Sequence, residues 1–204
     1  MSVTELERQI WLVRHGETEW ARSGRHTGRS DIPLTDRGRQ QAEALARRLR
    51  GRPFALVLTS PRSRAAETAR LAGFPDAVVE PDLHEWDYGE FEGRTTADIR
   101  TEIPDWSIWT GPWRKGETVE QVGVRADRII ERCLDRVIYG DVLLFAHGHL
   151  LRVLAARWLE LPPETGQRFA LGTATIGVLG WDRGTRLIET WNESCHLSAW
   201  VPEV

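Results

Sequence analysis

Two arginines and three histidines stand where short apolar runs end. They are Arg14-His15-Gly16 after QIWLV, Arg64 in Ser60-Pro61-Arg62-Ser63-Arg64 after FALVLT, and His147-Gly148-His149 after DVLLFA. These residue types suit a phosphate monoester, a dianion near neutral pH that calls for fixed positive charge and hydrogen-bond donors. Arginine meets phosphate oxygens two at a time and keeps its charge, so Arg14 and Arg64 are the candidates for the anion. His147 is a third donor, cationic if the phosphate raises its pKa. The N–H groups of Gly148 and of the helix start beyond it are expected to add to that field.

Attack on phosphorus needs a nucleophile in line with the departing oxygen. A neutral imidazole serves when one nitrogen is free and the other is held. His15 fits, because Gly16 lets the backbone crowd close and fix the ring. The departing alkoxide needs a proton, and Glu85 in His84-Glu85-Trp86-Asp87-Tyr88-Gly89 is the carboxyl placed to give it. Trp86 and Tyr88 would exclude water and keep it protonated enough to donate. Charge on the equatorial oxygens of the transition state would then fall to the arginine–histidine cluster.

Singly, each piece has a plainer reading. An arginine is commonly a surface ion pair or a helix end, and a lone Arg-His-Gly is weak evidence. His147 and His149 without a nearby ligand set make a poor metal pair. His26, His84 and His196 read as exposed or structural, and Trp106, Trp109 and Trp113 read as packing, some of them at the mouth of the site.

The elements that must position these groups alternate between strand and helix. Gln9 to Arg14 reads as a strand, Thr35 as the cap of a helix to about Arg50, and Phe54 to Leu58 as a buried strand. Ser60-Pro61 reads as a cap opening a helix to about Ala72. A short strand near 77–80 precedes an irregular stretch from Pro81 to Gly116. A long amphipathic helix follows over about 117–138, with Val119, Val122, Ala126, Ile129, Cys133 and Val137 in helical period. Asp141 to Ala146 is a buried strand leading to a helix over about 150–159, and residues 176–191 form a hairpin. This order predicts a single α/β domain over 1–204, a three-layer sandwich whose sheet is mostly parallel with an antiparallel strand. In open α/β sheets ligands bind beyond the carboxyl ends of the strands, where the arginines and histidines stand.

Composition narrows the function classes. With 27 basic and 30 acidic residues the net charge is −3, so no basic excess calls for nucleic acid or a membrane surface. Two cysteines without a CxxC spacing give neither a disulfide framework nor a cysteine-built zinc site. The N-terminus is acidic where a signal peptide is basic, and no apolar run reaches the length of a membrane span, so the cytoplasm is expected.

LVRHGETEW at 12–20, SPRSRAAET at 60–68, HEWDYGEFEG at 84–93 and FAHGH at 145–149 resemble the histidine phosphatase superfamily, the clan of the cofactor-dependent phosphoglycerate mutases. The four stretches occur in the family's order and span almost the whole chain. The resemblance implies a phosphoglycerate mutase-like fold and a phosphatase without metal or cofactor. It makes His15 the phosphorylated nucleophile, Arg14, Arg64 and His147 the phosphate pocket, and Glu85 the proton donor. It also makes Thr27 and Gly28 a substrate loop, with Tyr88 and Gly148 completing the substrate contacts. The expected partner is a small phosphomonoester, and a homodimer is in keeping with the family.

Departures from the mutases favour hydrolysis. Ala21 follows Trp20 where mutases have asparagine, and Thr96 stands near the place of a carboxylate-binding lysine. The insertion with paired arginines between the acid and the second histidine is missing. A mutase must retain a bisphosphorylated intermediate, and those anchors are absent, so isomerase chemistry is the second reading and a non-catalytic binding protein the third. EWDYGEFEG, the Trp106–Trp109 spacing and the HGH ending are closest to small acid phosphatases and sedoheptulose bisphosphatases. Arg114 and Lys115 read as solvated surface charge.

Overall fold

The alternation of apolar residues along the first strand already requires two helical layers. In β1 (Ile10–Arg14) Ile10 and Leu12 face one side of the sheet while Trp11 and Val13 face the other, and all four are buried. The structure, a computed structural model, describes residues 8–198. The acidic residues at the extreme N-terminus lie outside that range.

The sheet has six strands in the order β3-β2-β4-β1-β5-β6. β2 (Phe54–Thr59), β3 (Val78–Val79) and β4 (Asp141–Ala146) continue β1 in parallel, while β5 (Ile176–Asp182) pairs antiparallel with β1 and β6 (Thr185–Glu193) pairs antiparallel with β5. β1 and β4 lie side by side, Arg14 opposite Ala146, so His15 and His147 leave adjacent strands at the same edge.

One face of the sheet carries α2 (Asp36–Leu49) and α3 (Ser63–Leu71), packed through Leu45, Leu49, Ala69 and Phe145. The other carries α5 (Val119–Val137) and α6 (Gly148–Trp158), whose Val122, Ile129, Leu150 and Leu154 share a core with the segment before α5. The three-layer sandwich and its largely parallel sheet are therefore as the sequence pattern implied. α2 begins where Thr35 accepts from the Gly38 N–H, and α5 begins in a reciprocal Thr118–Gln121 capping box. Among the described residues no helix is long and apolar enough to cross a membrane.

Three local readings change. Ser60 does not cap a helix: α3 starts later, at Ser63, and the Ser60 hydroxyl is engaged with His147. β2 is only partly covered, with Leu58 and Thr59 buried and Ala55 exposed, because it lies one strand from the sheet edge. Two short helices escaped notice, α1 (Glu19–Ser23) and α4 (Thr96–Arg100). Each is only five residues long, too brief for an apolar period to show, and each is set by a threonine cap, Thr18 or Thr95.

Candidate active site

The His15 ring is fixed by its own chain. His15 Nδ1 lies 2.7 Å from the Gly16 carbonyl, which can only accept, so Nδ1 carries the proton and Nε2 keeps its lone pair. Gly16 itself is held by its N–H to Thr68 Oγ1 at 3.0 Å. It must be glycine, because a Cβ there would lie 2.3 Å from the Gly38 carbonyl oxygen. The ring is buried, and burial with the fields of Arg64 and Arg14 pushes its pKa well below 6.5. His15 is thus a neutral base with one free nitrogen.

His147 stands beside it, the two rings edge-on with centroids 5.1 Å apart. Ser60 Oγ accepts the Arg62 N–H and lies 2.7 Å from His147 Nε2. With the hydroxyl hydrogen given to Nε2, the proton of the neutral ring stands on Nδ1. His147 is fully buried, and burial, then Arg64, His15 and Arg14, hold its pKa well below 6.5. The ring can donate without a charge.

The two arginines are anchored at their tips. Arg14 donates from one terminal nitrogen to the Leu171 carbonyl at 2.6 Å, and its guanidinium lies against Gly148, where a Cβ would come 3.2 Å from Nε. Arg64 has no exposed surface and donates to the carbonyls of Ser30 and Thr27 at 2.9 and 3.0 Å. Arg14 Nε, Arg64 Nε, Arg62 Nε and His147 Nδ1 are all buried with no partner among the described residues. Buried N–H donors are nearly always satisfied, and each orphan costs about 1–3 kcal/mol. Such a cluster around a neutral histidine fits an anion.

Glu85 enters from the irregular segment. One carboxyl oxygen accepts the N–H groups of Trp86 and Leu150, both at 2.9 Å, and the other accepts that of His149 at 3.0 Å. This changes two expectations. Two of the free N–H groups at the start of α6, those of His149 and Leu150, go to Glu85 instead of a bound phosphate, and Glu85 is held by a polar cradle as well as by its aromatic neighbours. The segment around it is fastened from behind. The buried Arg125 guanidinium donates to the carbonyls of Asp82 and His84 and grips the Glu117 carboxylate with two nitrogens, while Glu117 accepts the Asp87 N–H.

A cleft of about 280 Å³ opens on these groups, lined by Arg14, His15, Thr27, Glu85, Tyr88 and Gly148. Arg64, His147 and Gly28 lie one layer behind. The Gly28 carbonyl lies 3.4 Å from an Arg64 donor, and its N–H goes to Glu92. His149 and Thr96 line the cleft as well, and sequence reasoning missed three further lining residues: Arg25, His26 and Arg152. His26, which reads as exposed or structural in the sequence, is buried against Tyr88 with centroids 4.7 Å apart, and burial pushes its pKa down to about 4. Its place beside Thr27 was the available signal. The Tyr88 hydroxyl lies 2.7 Å from His149 Nδ1, and burial, then Glu85, raises its pKa well above 10. Trp106 and Trp109 pack in the core as expected. Among the described residues no group of three or more His, Cys, Asp or Glu side chains is placed to hold a metal.

The sequence profile of the histidine phosphatase superfamily (branch 1) matches residues 10–194. The chain is 46% identical over 191 residues to an acid phosphatase of Mycobacterium tuberculosis, covering 92% of this chain and 94% of that one. It is 38% identical over 182 residues to the sedoheptulose 1,7-bisphosphatase of Saccharomyces cerevisiae, covering 74% of this chain and 67% of that one. A solved structure of a Mycobacterium tuberculosis open reading frame superposes with a TM-score of 0.87 at 42% identity, covering 91% of this chain and 97% of that one. The chain belongs to the histidine phosphatase superfamily, and it is a phosphatase.

Proposed function

We propose that this phosphatase hydrolyses small phosphorylated metabolites, sugar phosphates or bisphosphates, through a phosphohistidine on His15. The observation that carries the assignment is the group of buried, unpartnered donors beside a neutral imidazole whose free nitrogen is Nε2. Arg14, Arg64 and His147 take the phosphate oxygens; His15 Nε2 forms the P–N bond as the P–O ester bond breaks. Glu85 gives its proton to the departing alkoxide. In the second half, Glu85 takes a proton from water as the water oxygen attacks phosphorus, and orthophosphate leaves. Thr27, Tyr88 and Gly148 border the substrate, and Gly28 supports Arg64. The cycle uses only groups of one chain and water; the proposal also takes the given residues as one domain, working in the cytoplasm as a homodimer in keeping with the family.

The test is a phosphate-release screen over some dozens of metabolites with EDTA present, together with an acid-quenched search for phosphoenzyme. Turnover of sugar phosphates with a phosphohistidine at position 15 is the expected result. Isomerisation of 3-phosphoglycerate without phosphate release would overturn it.

A further inference from the structure

Arg14 and the backbone around it lean on one short loop, the stretch from Ala170 to Thr175 that leads into β5. The Leu171 carbonyl accepts from the Arg14 guanidinium at 2.6 Å. The Ala174 N–H is shared between the carbonyls of Arg14 and His15, at 3.1 and 3.0 Å, and the Thr175 carbonyl accepts the Arg14 N–H at 3.3 Å. Of this loop only Leu171 reaches the cleft lining. Where its carbonyl stands sets where the Arg14 fork points, and with it the buried Nε that has no partner among the described residues.

The loop has no strand or helix of its own and is fastened from outside by the end of β6. Asn192 Oδ1 accepts the Gly172 N–H at 2.8 Å, and Trp191 Nε1 donates to the Ala170 carbonyl at 2.5 Å. Gly172 N–H and Leu171 C=O belong to the same planar peptide unit, so their directions are locked together. Asn192 grips one end of that unit and Arg14 the other. Neighbouring side chains of a regular strand point to opposite faces, yet Trp191 and Asn192 both reach this loop. A β-bulge makes that possible: β5 advances two residues from Ile176 to Val178 while β6 spends three between Thr190 and Glu193. Asn192 lies in the bulge with φ +56°, a left-handed conformation that asparagine tolerates better than most residues. Gly177 leaves room for the Trp191 ring, since a Cβ there would come 2.9 Å from it. Neither Trp191 nor Asn192 lines the cleft.

We propose that Asn192 is a positioning residue for phosphate capture, fixing the direction of the Arg14 guanidinium through the Leu171–Gly172 peptide. The role rests on the reading of Arg14 as a phosphate ligand. A planar fork serves two phosphate oxygens only when its plane and reach are right, and a misplacement of about 1 Å can cost on the order of a hundredfold in rate. The bulge thus transmits the placement of β6 to a side chain at the end of β1, across β5.

The experiment measures the inhibition constant of orthophosphate, kcat/KM for p-nitrophenyl phosphate and the melting temperature. The proteins are the wild type, Asn192→Gly, Asn192→Asp, Arg14→Gln and the double variant of Asn192→Gly with Arg14→Gln. Glycine keeps the left-handed backbone and discards the hydrogen bond, whereas aspartate keeps both. Asn192→Gly is expected to weaken orthophosphate roughly tenfold and to lower kcat/KM about 10–100-fold, and Asn192→Asp to restore most of each. With Arg14→Gln already present, Asn192→Gly should change orthophosphate binding little, because the two residues act as one unit. Wild-type phosphate affinity in Asn192→Gly overturns the role, as does an aspartate variant no better than glycine. A loss of the same size with and without the Arg14 guanidinium also overturns it, since that is what a merely structural residue would give. If Arg14→Gln alone leaves orthophosphate binding unchanged, the phosphate reading of Arg14 falls first and takes this role with it.

Discussion

The cleft is assembled from two regions built in opposite ways. Arg14, His15 and His147 stand at the ends of β1 and β4, where the parallel ladder places them within one residue of each other in register. Glu85 stands in a segment with no strand and no long helix, and its position depends on contacts from far along the chain. Leu150 and His149 hold its carboxyl, while Arg125 and Glu117 hold the backbone on either side of it. The strand-end half thus inherits rigidity from the sheet, and the half that carries Glu85 acquires it from buried polar contacts. A side chain in the first half can be changed without moving its backbone. In the second half one substitution can release the whole segment.

Breaking the first half gives the largest effect. His15→Ala should reduce turnover to below about a ten-thousandth while leaving the melting temperature near its original value, since the ring makes one hydrogen bond and that to its neighbour. Appreciable residual activity would remove His15 from its role. Glu85→Gln comes next. Hydrolysis of alkyl phosphates should fall by roughly 10²–10⁴, and that of nitrophenyl phosphate, whose leaving group needs little protonation, far less. Equal losses for both would show that Glu85 is not the acid.

Arg125→Met sharpens the comparison, because the Arg125 hydrogen bonds go to Glu117 and to the backbone on the N-terminal side of Glu85, and to no side chain lining the cleft. Removing one partner of a buried pair leaves Glu117 uncompensated and should cost about 3–5 kcal/mol in denaturant unfolding. In the fraction that stays folded, turnover of alkyl phosphates should suffer more than that of nitrophenyl phosphate. Uniform loss would mean that the clamp supports the fold alone.

The smallest effect is on pH dependence. The free-enzyme limb of kcat/KM that reports protonation of His15 should fall well below pH 6.5, since burial with Arg64 and Arg14 depresses its pKa. Arg64→Gln should move that limb upward. Stability follows the same sign: His15, His26, His147 and His149 have folded pKa values below 6.5, so the unfolded chain binds more protons under acid conditions. Their contribution is intact above pH 6.5 and is lost as pH falls, His26 completing its share near pH 4. A melting temperature that is flat from pH 7 to 4 would contradict the burial of these rings.

The two halves also differ in how much the residues alone disclose. β1, β4 and their histidines were legible because an apolar run ending in a charged tripeptide is a local signal. The 81–117 segment was not, because its order comes from Arg125 and from Glu117, residues whose importance shows only when the chain is folded. Ser60 was misread as a helix cap since a Ser-Pro pair has that meaning locally, while its bond to His147 joins residues from different strand ends. Arg152 carries no local mark at all; it is one more charged residue on a helix until the fold turns it toward the cleft.

The orphaned donors of Arg14, Arg64 and His147 tie the enzyme's endurance to its own product. Orthophosphate bound as proposed would satisfy them only in the native state, so by mass action it should act as a folding ligand as well as a competitive inhibitor. At a hundred times its dissociation constant it would add about 2.7 kcal/mol to the unfolding free energy. An enzyme working in high phosphate would then be slower and harder to melt, its thermal tolerance set by the phosphate status of its surroundings.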